Sequence, residues 1–535
     1  MATHTHTPDV IKPVTGDLDK HPRGLYVLFA TEMWERFGFY SMLALFTLYL
    51  QDPKQGFGWT DASATSLYSW YLAFVYASPL VGGFLADRFI GYRRSVMIGG
   101  VIFMAGYLLL GVHSLTMVYL ALALLVTGNG FFKPNVSTMV GNLYPEGSHL
   151  KDRAYNIFYM GINIGAFIAP VVMEIIKDKF GYQLGFAAAA LGMVISVGVL
   201  WKFKHDVEEP RRAKVPADAA AVSVDAPPSS LSRQSAMEAV PEWKRISALL
   251  VIFLIVIVFW MIFHQNGSTL TYWADDNTNW DVSGTISNAI NPFWIISLTF
   301  PLVWFWKQLD KRGKEPSTPT KIVIGMVLTG VSCTILFLAA KSGESQQVQS
   351  SMLASGSFRV TDRGIDALRA EGIPADVLDK LQAKDADGKF IVKGKKFAPD
   401  DKDAGEQKLM AALSAALGPQ PAAQYREPIL RHAYLFKVSP LWLILSYMVI
   451  SLGELMLSPM GLSLVSKVAP IRMRGLLMGG WFVATALGNK LVVIGVYWSI
   501  WKQSTFFIVL GSMAFVMAVV LLFLLRPLKK AMPGV

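Results

Sequence analysis

Apolar runs of about 17–25 residues, the length that spans a ~30 Å hydrocarbon layer, recur along the whole chain. In the first half they fall near 24–50, 66–89, 95–114, 117–139, 154–177 and 185–203. In the second half they fall near 245–274, 286–307, 320–341, 437–460, 475–498 and 502–526. The pattern predicts an all-α membrane protein with twelve transmembrane helices in two six-helix halves.

Two polar blocks interrupt this rhythm. Residues 204–242, rich in Ala, Pro, Ser and charge, read as a flexible linker between the halves. Residues 343–432 form a larger polar insert between runs nine and ten, a small external domain. It contains two helix-like pieces, TDRGIDALRAEG and GEQKLMAALSAAL, and a hairpin signal at Asp387–Gly388. Its DADG string reads as a turn, because no acid follows at the closing position of a calcium loop. The expected division is a tail (1–23), a first bundle (24–203), the linker (204–242), a second bundle (243–342 and 433–527), the insert (343–432) and a second tail (528–535).

The runs are not uniformly apolar. Run one contains TEMWERFGFYSML, in which Glu32, Glu35 and Arg36 share one helical face. A charge at the centre of a lipid-facing helix costs about 2.5–3.5 kcal/mol, so three unpaired charges would cost roughly 8–10 kcal/mol. Lys133 in run four is a further buried cation, and Glu32, Glu35 and Glu454 (run ten) are its candidate partners. A cluster of this kind can exchange partners. Protonation of a carboxylate releases its cation, which can then hold an anionic group of a substrate.

Composition supports the membrane reading, with 53% hydrophobic and only 16% charged residues. The net charge of +11 is explained by loops rather than by nucleic acid binding. Arg88, Arg93, Arg94, Lys151, Arg153, Lys307, Lys311, Arg312, Lys314, Arg472 and Arg474 all fall at one set of loops, and Lys20, Arg23, Lys529 and Lys530 extend it to both ends. The alternate loops are poor in Lys and Arg, as at Ala274–Gly284. Both termini are therefore expected in the cytoplasm, of a cytoplasmic (inner) membrane. The polar start of the chain has no apolar core and does not read as a cleaved signal. Its single cysteine, Cys333, excludes an intramolecular disulfide. No metal site, nucleotide loop or nucleophile constellation is apparent, so an enzyme is not expected.

The loop GGFLADRFIGYRRS (Gly82 to Ser95), echoed by LDKRGK at Leu309 to Lys314, is similar to the signature loop of the major facilitator superfamily. Five further stretches narrow the resemblance: ExxERFxxY (Glu32 to Tyr40), GxGFFKPN (Gly128 to Asn135), FYMGINIGAFIAP (Phe158 to Pro170), FWMIFHQNGS in run seven and GELMLSPMGLS (Gly453 to Ser463). Together they resemble the proton-dependent oligopeptide transporters of that superfamily, over all twelve runs but not the insert. The resemblance implies that Glu35 carries the proton, with Glu32 and Lys133 in the same coupling set, and that Arg36 and Lys133 meet the peptide carboxylate. It further implies that Tyr40 and Tyr71 line the peptide site, that Asn163 and Asn291 bind the peptide backbone, and that Glu454 holds the amino end. Trp260 and Trp481 resemble walls of side-chain pockets. Ser458, followed by Pro459 one turn beyond Glu454, points to a helix break.

Two positions depart from the family pattern. Leu43 stands where a basic residue is usual, and His264 where an acid is usual in run seven. Loss of both members of an ion pair is coherent, since losing one would strand a charge. The outer gate is then expected to close by packing or through a protonatable His264. The expected activity is proton-coupled import of di- and tripeptides by alternating access, with the proton as coupling ion and no other cofactor, by a monomer in the bilayer. The rival readings are a carrier of another solute, such as nitrate or a peptide-like drug, and a non-transporting peptide sensor.

Overall fold

The computed structural model describes residues 21–533 except 60, 145–147, 149, 208–236, 238, 268, 281–286, 288, 347, 350–351, 354–355, 386–389 and 401. The linker expected at 204–242 therefore lies mostly outside the described residues, as does the turn at Asp387–Gly388; on either side of that turn Lys384 and Phe390 pair antiparallel.

The first half consists of α1 (Arg23–Gln51), α2 (Asp61–Leu85), α3 (Tyr92–Leu110), α4 (Leu115–Asn142), α5 (Leu150–Phe180) and α6 (Tyr182–Lys202). The second half begins with α7 (Glu242–Phe263) and α8 (Thr269–Asp276), followed by α9 (Ile290–Lys311) and α10 (Thr318–Glu344). The insert contributes β1 (Phe358–Arg359), α11 (Asp362–Ala370), α12 (Ala375–Leu381), β2 (Lys396–Phe397), α13 (Gly405–Leu417), α14 (Pro419–Gln424) and α15 (Arg426–Ala433). The second half resumes with α16 (Pro440–Val468), α17 (Arg474–Leu491) and α18 (Gln503–Ala531).

Among the described residues, ten stretches of helix are long and apolar enough to cross a membrane. The helices α1 and α9 are outside that set, so ten of the twelve expected spans meet the description. The exceptions have a chemical reason. Glu32, Glu35 and Arg36 dilute the apolar character of α1, while Asn291, two prolines and a basic end dilute that of α9.

One expectation about continuity fails, and the seventh run holds a turn that no expectation addressed. The seventh run is broken: a 3-10 turn, His264–Gly267, separates α7 from α8. Asn266 and Gly267 are poor helix formers, and the Gln265 amide donates to the carbonyls of Met261 (3.2 Å) and Val492 (3.4 Å). Conversely, α16 runs unbroken from Pro440 to Val468 through Pro459, so the break expected at Ser458–Pro459 does not occur. Dense burial on every side holds the helix there despite the missing N–H.

The end at which α1 begins and α18 finishes is called the tail end, and the opposite one the insert end. At the tail end α2 crosses α17 backbone to backbone. A Cβ on Gly83 would come within 2.1 Å of the Gly475 carbonyl oxygen, so the two backbones approach this closely only because side chains are absent there. Asp87 seals the same crossing, accepting the N–H groups of Gly475 (2.9 Å) and Leu476 (2.8 Å) at the start of α17 and the Tyr92 hydroxyl (2.7 Å). The signature loop therefore ties one half to the other.

The insert packs around its own core, which includes Phe358, Ile365, Leu378, Leu409, Leu413 and Leu430. Polar contacts dock it on the second half. Arg359 meets Asp276 at the end of α8 (3.0 Å), and Arg363 donates to Gln503 (2.9 Å) and the Trp501 carbonyl (3.2 Å) at the start of α18. Asp362 bridges Lys393 (2.5 Å) and the Ser499 hydroxyl (3.0 Å). Burial alone would raise the Asp362 carboxyl, but these two donors outweigh it and hold the group below its usual range.

Candidate functional site

Halfway along α1 the charged face meets α4. Glu32, Glu35, Arg36 and Lys133 are all buried. Lys133 donates to Glu32, and Arg36 makes a two-point contact with Glu35. Arg36 Nε lies 3.5 Å from Glu32, so the four charges form one alternating chain with no net charge. The second Glu32 oxygen has no hydrogen-bond partner among the described residues. Aromatic faces close the cluster: Arg36 lies 4.6 Å from the Phe39 ring centre and Lys133 5.6 Å from that of Phe482 in α17. Of the three carboxylates considered as partners of Lys133, Glu32 is the one that meets it.

Glu454 in α16 lies apart from these cations. It accepts from the Tyr159 hydroxyl of α5 on one oxygen and from the Asn291 amide of α9 (2.8 Å) on the other. Asn291 also donates to Ser451 (2.9 Å). Neutral donors thus hold this carboxylate. Tyr40, one turn beyond Arg36, sits among Arg36, Tyr76 and Glu454, between the two charged centres.

The other expected residues spread around this axis. Tyr71 is buried near Arg36 and Glu35, with its hydroxyl unpartnered among the described residues. Asn163 donates to the Tyr159 carbonyl of its own helix (3.0 Å), and Ser458 is buried beside Tyr159. Trp481 covers Gly461, where a Cβ would come within 1.9 Å of the ring, and meets Phe253 edge-on at 5.8 Å. Trp260 stacks on His264 at 5.1 Å and 20°. His264 sits at the 3-10 turn with its Nε2 buried and unpartnered among the described residues. It is therefore in an aromatic setting, next to Phe263 at 5.4 Å.

A second charged cluster, which the sequence reading missed, joins the halves at the tail end. Asp152 of α5 accepts from Lys321 of α10 (2.7 Å), Lys467 of α16 (2.6 Å), Ser463 (2.6 Å) and Thr318 (3.0 Å). Lys321 also meets Glu315 (2.7 Å), and Arg153 bridges Glu315 and Asp310 (2.7 Å each). Lys321 and Asp152 are buried. Tyr159 was passed over in the same way, although it lies one turn before Asn163 in a stretch already singled out by its motif.

Comparison with known proteins gives the family. The Major Facilitator Superfamily model matches residues 26–356, and the POT family model matches residues 409–520. The chain is 26% identical to a di-/tripeptide transporter of Lactococcus lactis subsp. lactis, over 96% of this chain and 97% of that one. It is 28% identical to dipeptide and tripeptide permease A of Citrobacter koseri, over 92% and 86%. Among solved structures, a POT peptide transporter in complex with alafosfalin shares 26% identity over 97% of this chain and 98% of that chain, with a TM-score of 0.56. The chain is a multi-pass membrane transporter and belongs to the major facilitator superfamily and, within it, to the POT family.

Proposed function

We propose that this protein imports di- and tripeptides together with protons. The observation that carries the reading is the bipolar arrangement of the site: two cations, Arg36 and Lys133, held by acids at one end, and Glu454 held only by neutral donors at the other. A zwitterionic peptide is the complement of that pattern. Its carboxylate suits the cations and its ammonium suits Glu454.

The same geometry provides the coupling. Arg36 and Lys133 already have carboxylate partners, so they meet a substrate carboxylate fully only when an acid gives them up. A proton on Glu35 neutralises the partner of Arg36 and frees the guanidinium; Glu32 does the same for Lys133. Proton entry and peptide binding then favour each other at one place. Tyr40, Tyr71, Asn163, Trp260, Ser458 and Trp481 are assigned to the walls of the peptide site, and Asn291 to orienting Glu454. His264 is assigned to the outer part of the coupling path.

The tail end faces the cytoplasm in this reading, as the positive loops indicate, and the insert faces outward. The network around Asp152 and the crossing at Gly83 then form the inner closure, which separates when the halves rock. Competition tests the substrate class. Unlabelled di- and tripeptides should displace labelled dialanine in binding to the purified carrier, whereas nitrate and a tetrapeptide should not. Displacement by nitrate but not by peptides would overturn the assignment.

A further inference from the structure

The Tyr159–Glu454 hydrogen bond crosses between the halves, since α5 belongs to the first and α16 to the second. Glu454 is buried and the bond partly so, and it occupies one oxygen of the carboxylate assigned to the substrate ammonium. Asn291, on the same half as Glu454, occupies the other. The two donors therefore differ in consequence. The Asn291 bond survives any rigid rocking of the halves, whereas the Tyr159 bond is lost when they separate on the cytoplasmic side.

We propose that Tyr159 is a positioning residue that reports whether Glu454 is occupied. While the site is empty, its hydroxyl latches α5 to α16 and favours the state closed to the cytoplasm. An arriving ammonium group offers three charged donors and outcompetes a neutral hydroxyl for the same oxygen. The latch then opens, and the loaded carrier is released toward the cytoplasm. This proposal rests on the peptide reading and adds a role to a residue outside the coupling set. It also gives the return of the empty carrier a driving contact, because the latch re-forms only after the ammonium has left.

A hydrogen bond to a charged group biases an equilibrium by roughly 10- to 100-fold. Tyr159→Phe removes the bond and keeps the ring. Net peptide uptake, which needs the empty carrier to return, should then fall about 10-fold more than peptide exchange, which does not. Equal loss of both would assign Tyr159 to packing and overturn the proposal.

A second measurement needs no change at Tyr159. Arg94 and Lys311 are exposed near the tail ends of the two halves, and the single native cysteine, Cys333, is buried. Spin labels at Arg94→Cys and Lys311→Cys should report a longer distance with dialanine, and no change with N-acetyl-dialanine, which lacks the ammonium. Equal responses to the two compounds would overturn the latch. The peptide reading fails separately, if the unmodified carrier neither binds nor exchanges any peptide.

Discussion

Asp152→Asn is the sharpest perturbation of the inner closure. In the structure this carboxylate receives Lys321, Lys467, Ser463 and Thr318, all from the opposite half. Asparagine keeps the shape but removes the charge. Lys321 retains Glu315 at 2.7 Å, but Lys467 loses its only ion-pair partner among the described residues. Stranding one member of a buried pair costs about 3–5 kcal/mol. That penalty falls on the closed state alone, because separation of the halves lets water reach the lysine. The closed-to-open ratio should therefore drop by at least 100-fold, at about 1.4 kcal/mol per factor of ten. Ser466 provides the readout. It is buried, and its hydroxyl faces Gly141 of the other half, where a Cβ would approach it to 1.8 Å. In a Cys333→Ser background, maleimide should modify Ser466→Cys about 100-fold faster in Asp152→Asn than in its parent. Adding Lys467→Met removes the stranded charge and should recover part of the protection. An unchanged modification rate in Asp152→Asn would refute the claim that this network holds the halves together.

Three further outcomes follow from the geometry. Glu35→Gln removes the acid that holds Arg36, so gradient-driven uptake should disappear while peptide counterflow remains measurable; surviving driven uptake would exclude Glu35 as the proton carrier. His264→Ala tests the assignment to the coupling path: a changed pH profile of uptake supports it, while an unchanged profile with a lower thermal stability assigns the ring to its stack with Trp260. At the insert, the folded-state carboxyl of Asp362 is held below its unfolded value, so its contribution to docking is present above about pH 4 and lost as pH falls through the folded value. Pepsin should therefore cut the insert faster at pH 3 than at pH 5 in the native chain, and Asp362→Asn should lessen that difference; an identical pH response in the two would contradict the role given to Lys393 and Ser499.

Much of this arrangement was legible in the sequence, and the limits of that legibility are physical. Apolar runs announce membrane helices because the bilayer leaves the backbone no other option. Charges inside such a run, as at Glu32, Glu35, Arg36 and Lys133, are too costly to be incidental, and the structure brings these four together. The cluster around Asp152 was hidden for the opposite reason. Asp152, Lys321 and Lys467 lie within a turn or so of helix ends, where a charge ordinarily reaches water and marks only orientation. They are separated by 169 and 315 positions along the chain, and only packing reveals that they share one buried site. Lys151 and Arg153, counted as orientation signals, are likewise buried. Local order was equally deceptive around Pro459 and His264. A proline in a tightly packed helix did not break it, while an ordinary-looking HQNG segment did. Tyr159 carries no unusual signal of its own, because a tyrosine in an apolar helix is commonplace until a carboxylate is found at its hydroxyl.

The central claim is that proton entry at α1 and peptide binding between α1 and α16 are one coupled event. Uptake of labelled dialanine into proteoliposomes under an imposed inward proton gradient tests it most directly. The account predicts accumulation above the external concentration, collapsing to simple equilibration when a protonophore dissipates the gradient. Accumulation that ignores the protonophore, or none for any di- or tripeptide, would contradict it.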